Sequence, residues 1–155
     1  MRLALFQPDI PQNLGAAIRL CACLGVSLDV IEPCAFPFSD KSLQRAALDY
    51  GPKADVMRHD SWADFLKNVA RAERRLVLMT TKGASPLYAF NFAPNDIVLM
   101  GRESAGVPDD VHSAADARLF IPIRPDTRSL NVIAAAAIGL GEALRQTGGY
   151  DFQAG

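Results

Sequence analysis

Several things are scarce in this sequence. Its 155 residues include 3 cysteines and 2 histidines, and 16 lysines and arginines stand against 17 aspartates and glutamates, a formal net charge of −1. An odd cysteine count without a secretory signal argues against a disulfide framework. Cys21-x-Cys23 could be half of a metal site. However, His59 and His112 are remote from it in sequence and from each other, so small buried residues on a helix are the simpler reading. Balanced charge leaves no global field to gather a polyanion, so any RNA must meet a local basic patch. No apolar run reaches the roughly 20 residues that span a bilayer. The opening Met1–Phe6 is too short, and too soon followed by Pro8, to be a signal peptide. The expectation is a cytoplasmic protein without membrane contact.

The common enzyme fingerprints are missing too. The first hydrophobic run leads into Gln7-Pro8-Asp9-Ile10-Pro11-Gln12-Asn13, which cannot form the glycine turn of a dinucleotide fold. Gly101 and Gly106 have the spacing of a phosphate loop, but Val107-Pro108 stands where Lys and Ser/Thr are required. There is no Gly-x-Ser-x-Gly elbow and no His-Glu-x-x-His pair. Hydride transfer, nucleotide hydrolysis, serine-hydrolase and zinc-hydrolase chemistry all lose their markers. So do the common open-sheet methyltransferases with their glycine-rich signature.

What remains is a soluble composition, 50% hydrophobic and 21% charged, in a length that fits one domain over residues 1–155. Strand-like runs recur at Leu3–Phe6, Leu28–Ile31, Leu76–Thr80, Ile97–Met100 and Leu119–Ile123. Helical spacing falls between them, at about Asn13–Leu24, Asp40–Leu48, Ser61–Ala70, Pro108–Ala114 and Ser129–Gln146. This alternation predicts an α/β fold, a mostly parallel sheet with helices on both faces. Ser61 is placed to cap one helix and Asp40 another. The last helix has no polar side chain from Val132 to Leu140, so it needs cover on most sides, either deep in the domain or at a subunit interface. Gly139 and Gly141 would admit another backbone there. Ligands of such sheets bind beyond the carboxyl ends of strands. That points to the loops beginning at Gly101 and Ile121.

Three motifs then stand in order: Asn13-x-Gly15-x-x-x-Arg19, Gly101-x-Glu103-x-x-Gly106-Val107-Pro108, and Ile121-Pro122 followed by Ser129-Leu130-Asn131. Together they resemble the SPOUT RNA methyltransferases, knotted α/β proteins that use S-adenosylmethionine. Pro11-x-Asn13, Leu48-Asp49-Tyr50, Arg58-His59, Thr80-Thr81-Lys82-Gly83 and Pro125–Ser129 look most like the tRNA (cytidine(34)-2′-O)-methyltransferases. The resemblance implies a C-terminal trefoil knot, a homodimer, and ribose methylation at the wobble nucleotide of the tRNA anticodon stem-loop without a metal. It implies cofactor contacts at Met79, Gly101, Ile121, Ser129 and Leu130, and polar site residues at Asn13, Arg19, Glu103, Ser129 and Asn131. Ser129 could also be a plain helix cap, and Glu103 a loop brace. A guanidinium stays protonated, so Arg19 suits an oxyanion clamp better than a base. For RNA, Arg124 and Arg128 flank the cofactor loop. Lys41, Arg45, Lys53 and Arg58 are interleaved with Asp40, Asp49 and Asp55, as a solvated mixed-charge face would also be. Phe36, Phe38 and Tyr50 could stack a base or simply pack. The alternatives are methylation at another tRNA or rRNA position, or a non-catalytic RNA-binding module on the same fold.

Overall fold

A computed structural model describes residues 1–37, 53–71, 73–83 and 85–150. The elements are β1 (Arg2–Phe6), α1 (Pro11–Leu24), β2 (Ser27–Ile31), β3 (Val56–His59), α2 (Trp62–Arg71), β4 (Leu76–Met79), β5 (Ser85–Pro86), a 3₁₀ turn at Leu87–Ala89, β6 (Ile97–Met100), α3 (Asp109–Ala114), β7 (Ala117–Phe120) and α4 (Val132–Thr147). The expected helix at Asp40–Leu48 lies outside the described residues.

Among the described residues all strand pairs are parallel, in the order β3-β2-β1-β6-β4-β7-β5. Alternation along each strand feeds two separate cores. Leu3, Leu5, Val77 and Val98 pack with Leu14 and Ile18 of α1 and with Leu140 and Leu144 of α4. Ala4, Phe6, Leu78 and Leu99 pack on the other face with Phe65 of α2 and Val111 of α3. The sheet is therefore covered on both sides, as purely parallel sheets require. Each fully buried Leu contributes about 1.5–3 kcal/mol relative to exposure.

Three expectations are corrected, the starts of two helices and the burial of Cys23. The first helix starts at Pro11, whose lost N–H costs nothing at a helix start, so Asn13 lies inside the first turn. The last helix starts at Val132, not Ser129; its cap is Asn131, whose side-chain oxygen accepts from Ile133 N (2.9 Å) and Ala134 N (3.2 Å). Gly139 is buried against the Met79 side chain of its own chain, where a Cβ would lie 3.4 Å from Met79 Cε. Gly141 neighbours the Tyr150 hydroxyl, so within the chain each of these glycines meets a side chain. Cys21 is buried in α1, and burial pushes its thiol up to about 12, but Cys23 on the same helix is exposed. The Ser61 cap is present, its Oγ accepting from Asp64 N at 3.1 Å. Gly148 closes α4 in the left-handed conformation, φ 69°, with its N–H on Leu144 O.

The apolar last helix is covered on one side only by its own chain. Ala136, Gly139, Leu140, Ala143 and Leu144 are buried, whereas Ala134 is exposed and Ile138 is 44% exposed. α4 packs beside α1. The outward face of α1 carries Ala16, Arg19 and Cys23, exposed at successive turns. No described helix is long and apolar enough to cross a membrane.

Candidate functional site

The loops that leave β4, β6 and β7 meet beyond the carboxyl ends of those strands and enclose a cavity of about 770 Å³. This is the position at which open parallel sheets bind ligands, and the volume is ordinary for a cofactor site. The loop after β6 is a tight excursion. Arg102 N donates to Gly106 O (2.8 Å) and Gly106 N returns to Arg102 O (3.0 Å). Gly106 takes φ 67°, a conformation that favours glycine. A Cβ on Gly101 would lie 2.7 Å from the Gly106 carbonyl carbon, so Gly101 is needed because its own loop doubles back against it. Gly83 is similarly tight: a Cβ there would come within 2.6 Å of the Leu119 backbone.

Met79, Gly101, Ile121, Ser129 and Leu130 all line this cavity. Asn13, Glu103, Asn131 and Arg128 join them. Met79 and Gly101 arrive at the ends of β4 and β6. Ser129 and Leu130 lie in the exposed segment between β7 and α4, where Thr127 N and Oγ1 turn the chain by donating to Arg124 O at 3.0 and 2.6 Å.

The polar residues form a connected rim. The Glu103 carboxylate accepts from Asp9 N at 2.9 Å and from Asn13 Nδ2 at 2.9 Å. Asn13 Oδ1 accepts from Asn131 Nδ2 at 3.2 Å. Asp9 Oδ2 in turn accepts from Ser104 N (3.0 Å) and Ser104 Oγ (2.5 Å). The Ser104 hydroxyl, with its backbone N–H helping, holds the Asp9 carboxyl below its ordinary value of 3.8. Glu103 therefore braces the segment before α1 to the loop after β6, and Asn131 ties the cap of α4 into the same rim. Arg102 donates to Gln7 Oε1, and its guanidinium carbon stands 5.8 Å from the centre of the Phe6 ring. Sequence reasoning passes over both Asp9 and Arg102. Asp9 sits amid prolines and reads as a turn residue, and nothing local links it to Ser104.

Other expected residues lie elsewhere. Arg19 is not among the cavity-lining residues. It lies six residues beyond Asn13, about 9 Å along the helix and about 240° around it, on the exposed outer face. Arg124 is also outside the lining and sits 3.5 Å from Asp126. Arg58 is engaged with Glu32 at 2.6 Å, and Phe36 packs half-buried against the core. Lys41, Arg45, Phe38 and Tyr50 lie outside the described residues.

The make-up of the cavity suits an adenosyl cofactor. Its lining joins the buried apolar Leu78 and Met100 to the polar Ser129 and Asn131 and to Gly101, the mix of apolar wall and few polar groups that a flat, neutral ring system needs.

Comparison with known proteins agrees with this geometry. A tRNA (cytidine(34)-2′-O)-methyltransferase of Beijerinckia indica is 57% identical over 146 residues, covering 94% of this chain and 91% of that protein. A solved structure concerned with the 2-OH methylation of C/U34 on tRNA superposes with a TM-score of 0.86 at 40% identity, over 94% of both chains. A SpoU methyltransferase from Streptomyces viridochromogenes, in complex with the cofactor AdoMet, has a TM-score of 0.82 at 26% identity. The match covers 94% of this chain and 60% of that one. The SpoU rRNA Methylase family matches residues 1–141, and the chain belongs to that family.

Proposed function

We propose that this chain is an S-adenosylmethionine-dependent tRNA 2′-O-ribose methyltransferase acting on nucleotide 34, the wobble position. The observation that carries the reading is 57% identity, over 94% of the chain, to a tRNA (cytidine(34)-2′-O)-methyltransferase. The cavity beyond β4, β6 and β7 supports it. The tight approach of Gly83 to the Leu119 backbone is also what a knotted threading of these loops would need.

S-adenosylmethionine, when bound, supplies an activated methyl group on a sulfonium centre. Backbone groups at Met79, Gly101 and Ile121 bind the adenine edge, and the Ser129 hydroxyl and the Leu130 backbone hold the rest. The protein's contribution is chiefly alignment of the ribose 2′-oxygen, which can supply a large share of such a barrier. Asn13, Glu103 and Asn131 keep the rim rigid so that this alignment persists. Arg19 cannot take the 2′-hydroxyl proton, because a guanidinium stays protonated; it stabilises the oxygen as negative charge develops.

Arg19 reaches a cavity only if a second subunit presents it. The exposed faces of α1 and α4 are the surfaces that would pair, with Ala134 and Ile138 supplying apolar area. The working unit is thus a cytoplasmic homodimer with sites completed across the interface. Arg128 at the cavity and Arg124 beside it meet the anticodon stem-loop, together with Lys41 and Arg45. The test is to incubate purified protein with total tRNA and methyl-labelled cofactor and map the product by nuclease digestion and mass spectrometry. The expected product is a 2′-O-methyl group at nucleotide 34. Methylation at another position would replace the wobble assignment, and no methylation of any RNA would favour a binding module.

A further inference from the structure

Lys82 lines the cavity from the loop after β4, and the three sequence motifs give it no role. Its loop is pinned on both sides. Thr80 N donates to Leu119 O at 2.8 Å, Lys82 N donates to Thr80 Oγ1 at 3.1 Å, and Gly83 lies against the Leu119 backbone. The exposed Lys82 side chain therefore extends from a fixed base. Arg2, Arg58, Arg75, Arg124 and Arg145 each stand beside a carboxylate. Lys82 and Arg128, both on the cavity, have no carboxylate at ion-pair distance among the described residues. Of the two acidic residues in the same lining, Glu103 is held by Asp9 N and Asn13 Nδ2. That leaves Asp109 alone against two unpaired cations.

We propose that Lys82 is a substrate-contacting residue, its ammonium gripping a phosphate that flanks the methylated ribose. This rests on the RNA ribose methyltransferase reading above and deepens it by one named contact. The ribose 2′-oxygen must reach the cofactor's methyl group inside the cavity, so the phosphates on either side of that ribose lie at its mouth. An exposed, unpaired cation of the lining meets them there. The cofactor does not use up this charge. S-adenosylmethionine carries a net positive charge, its sulfonium and ammonium outweighing its carboxylate, so loading it leaves the cavity in need of an anion. The mouth suits a nucleotide better than a bare phosphate ion. Ile10 and Ile123 line it while 41% and 36% exposed, apolar surface that a base can cover. A compact point charge on a flexible stem also suits a phosphate that arrives on a single-stranded loop.

The test is equilibrium binding of a tRNA that the protein methylates, in the presence of S-adenosylhomocysteine, across a range of salt. Lys82→Ala should weaken binding about 10-fold, the scale of one hydrogen bond to a charged group. The slope of log K against log salt should become shallower by about 0.7, the share of one phosphate on a single strand. A lysine that only packed its loop would leave that slope alone. Lys82→Arg should restore affinity and slope together, because either cation pairs with a phosphate. A neutral methylphosphonate placed on one side or the other of the methylated nucleotide should, at one of the two positions, cost wild type a similar factor. At that position Lys82→Ala should lose nothing further. An unchanged slope in Lys82→Ala, or penalties that add at both positions, overturns the proposal. So does a fall in affinity for S-adenosylhomocysteine with none for 5′-methylthioadenosine, which lacks the carboxylate; Lys82 would then hold the cofactor. Absence of any methylated RNA with folded wild-type protein overturns the functional reading, and the proposal with it.

Discussion

Two chains of hydrogen-bonded polar side chains link distant parts of this molecule, and they differ in where they lie. The first runs Arg2–Asp29–His59 across β1, β2 and β3. Asp29 accepts from Arg2 Nε (2.6 Å) and Nη2 (3.0 Å), lies 2.7 Å from His59 Nε2, and is 2% exposed. The second runs Ser104–Asp9–Glu103–Asn13–Asn131 around the cavity mouth, half-buried to exposed. In the first, Asn68 Nδ2 stands 3.4 Å from the remaining His59 nitrogen, so the valences are spent inside the protein. The second borders a ligand-sized space and holds its residues in place while leaving them reachable. Similar chemistry thus serves cohesion in one place and positioning in the other.

The sharpest way to break that contrast is to remove the centre of the buried chain. Asp29→Ala should cost about 3–5 kcal/mol of folding stability, because it leaves both the partly buried Arg2 guanidinium and the buried His59 ring without their shared partner. Urea unfolding measures the loss. In the protein that remains folded, affinity for S-adenosylhomocysteine should be unchanged, since no member of this chain lines the cavity. A weakened cofactor site in the folded fraction would mean that the two chains are coupled.

Next in size is the residue that belongs to neither chain. Arg19→Ala should lower methyl transfer by about 10²- to 10³-fold, the scale for losing an oxyanion donor, with cofactor affinity within a few-fold. Arg19→Lys should not restore it, because a point charge lacks the planar fork. If sites are shared, a tagged heterodimer of Arg19→Ala and Ser129→Ala chains has one pocket with both defects and one intact. Activity near half of wild type is expected. Activity no higher than that of either mutant homodimer would place Arg19 and Ser129 in one pocket from one chain.

What can be read from the chain follows the range of the forces involved. β1, β2, β4, β6 and β7 are each revealed by local apolar runs, and their loops by glycine and proline, so the cavity's walls are visible as motifs. β3 escapes such a reading because Val56-Met57-Arg58-His59 alternates poorly at the sheet edge, where Met57 is 45% exposed. β5 is two residues long and offers no pattern. Strand order depends on pairings as distant as Arg2 with Ile97, and the Arg2–Asp29–His59 chain on contacts 27 and 30 residues apart, which no window detects. Ser129 reads as a helix start because hydroxyl caps are common, but Asn131 fills that place and frees Ser129 for the cavity. The Asp40–Leu48 segment, with Lys41 and Arg45, lies outside the described residues, so the structure does not bear on it.

The rim should respond to smaller changes than the buried chain does. Glu103→Gln exchanges one acceptor oxygen for a donor, so either Asp9 N or Asn13 Nδ2 loses its partner. The stability loss should be about 1 kcal/mol, typical of one hydrogen bond. The turnover loss should be larger, about tenfold, because alignment of the reacting oxygen depends on the rim's rigidity. Thermal unfolding and single-turnover methylation, run on the same sample, compare the two. Equal fractional losses would argue that the rim is merely structural.

The smallest effect belongs to Ser104→Ala. The Ser104 hydroxyl is the main cause of the lowered Asp9 carboxyl, so its removal should move that group back up toward 3.8. A carboxyl depressed on folding stabilises the fold above its unfolded value and loses that contribution as pH falls through the folded value. The wild-type rim should therefore persist to more acid pH than the Ser104→Ala rim. The stability difference between the two should be full above 3.8, neutrality included, and should disappear as pH falls through the folded value. NMR titration of the Asp9 carboxyl carbon reads the shift directly, and cofactor affinity measured down the same range reads its consequence. An unchanged Asp9 titration in Ser104→Ala would show that solvent and the Ser104 backbone N–H suffice to hold the charge. The side-chain bond would then lock the loop without tuning the acid. Either result separates the rim from the buried chain, where Arg2 is only partly reached by water and His59 hardly at all, so a lost partner is poorly replaced.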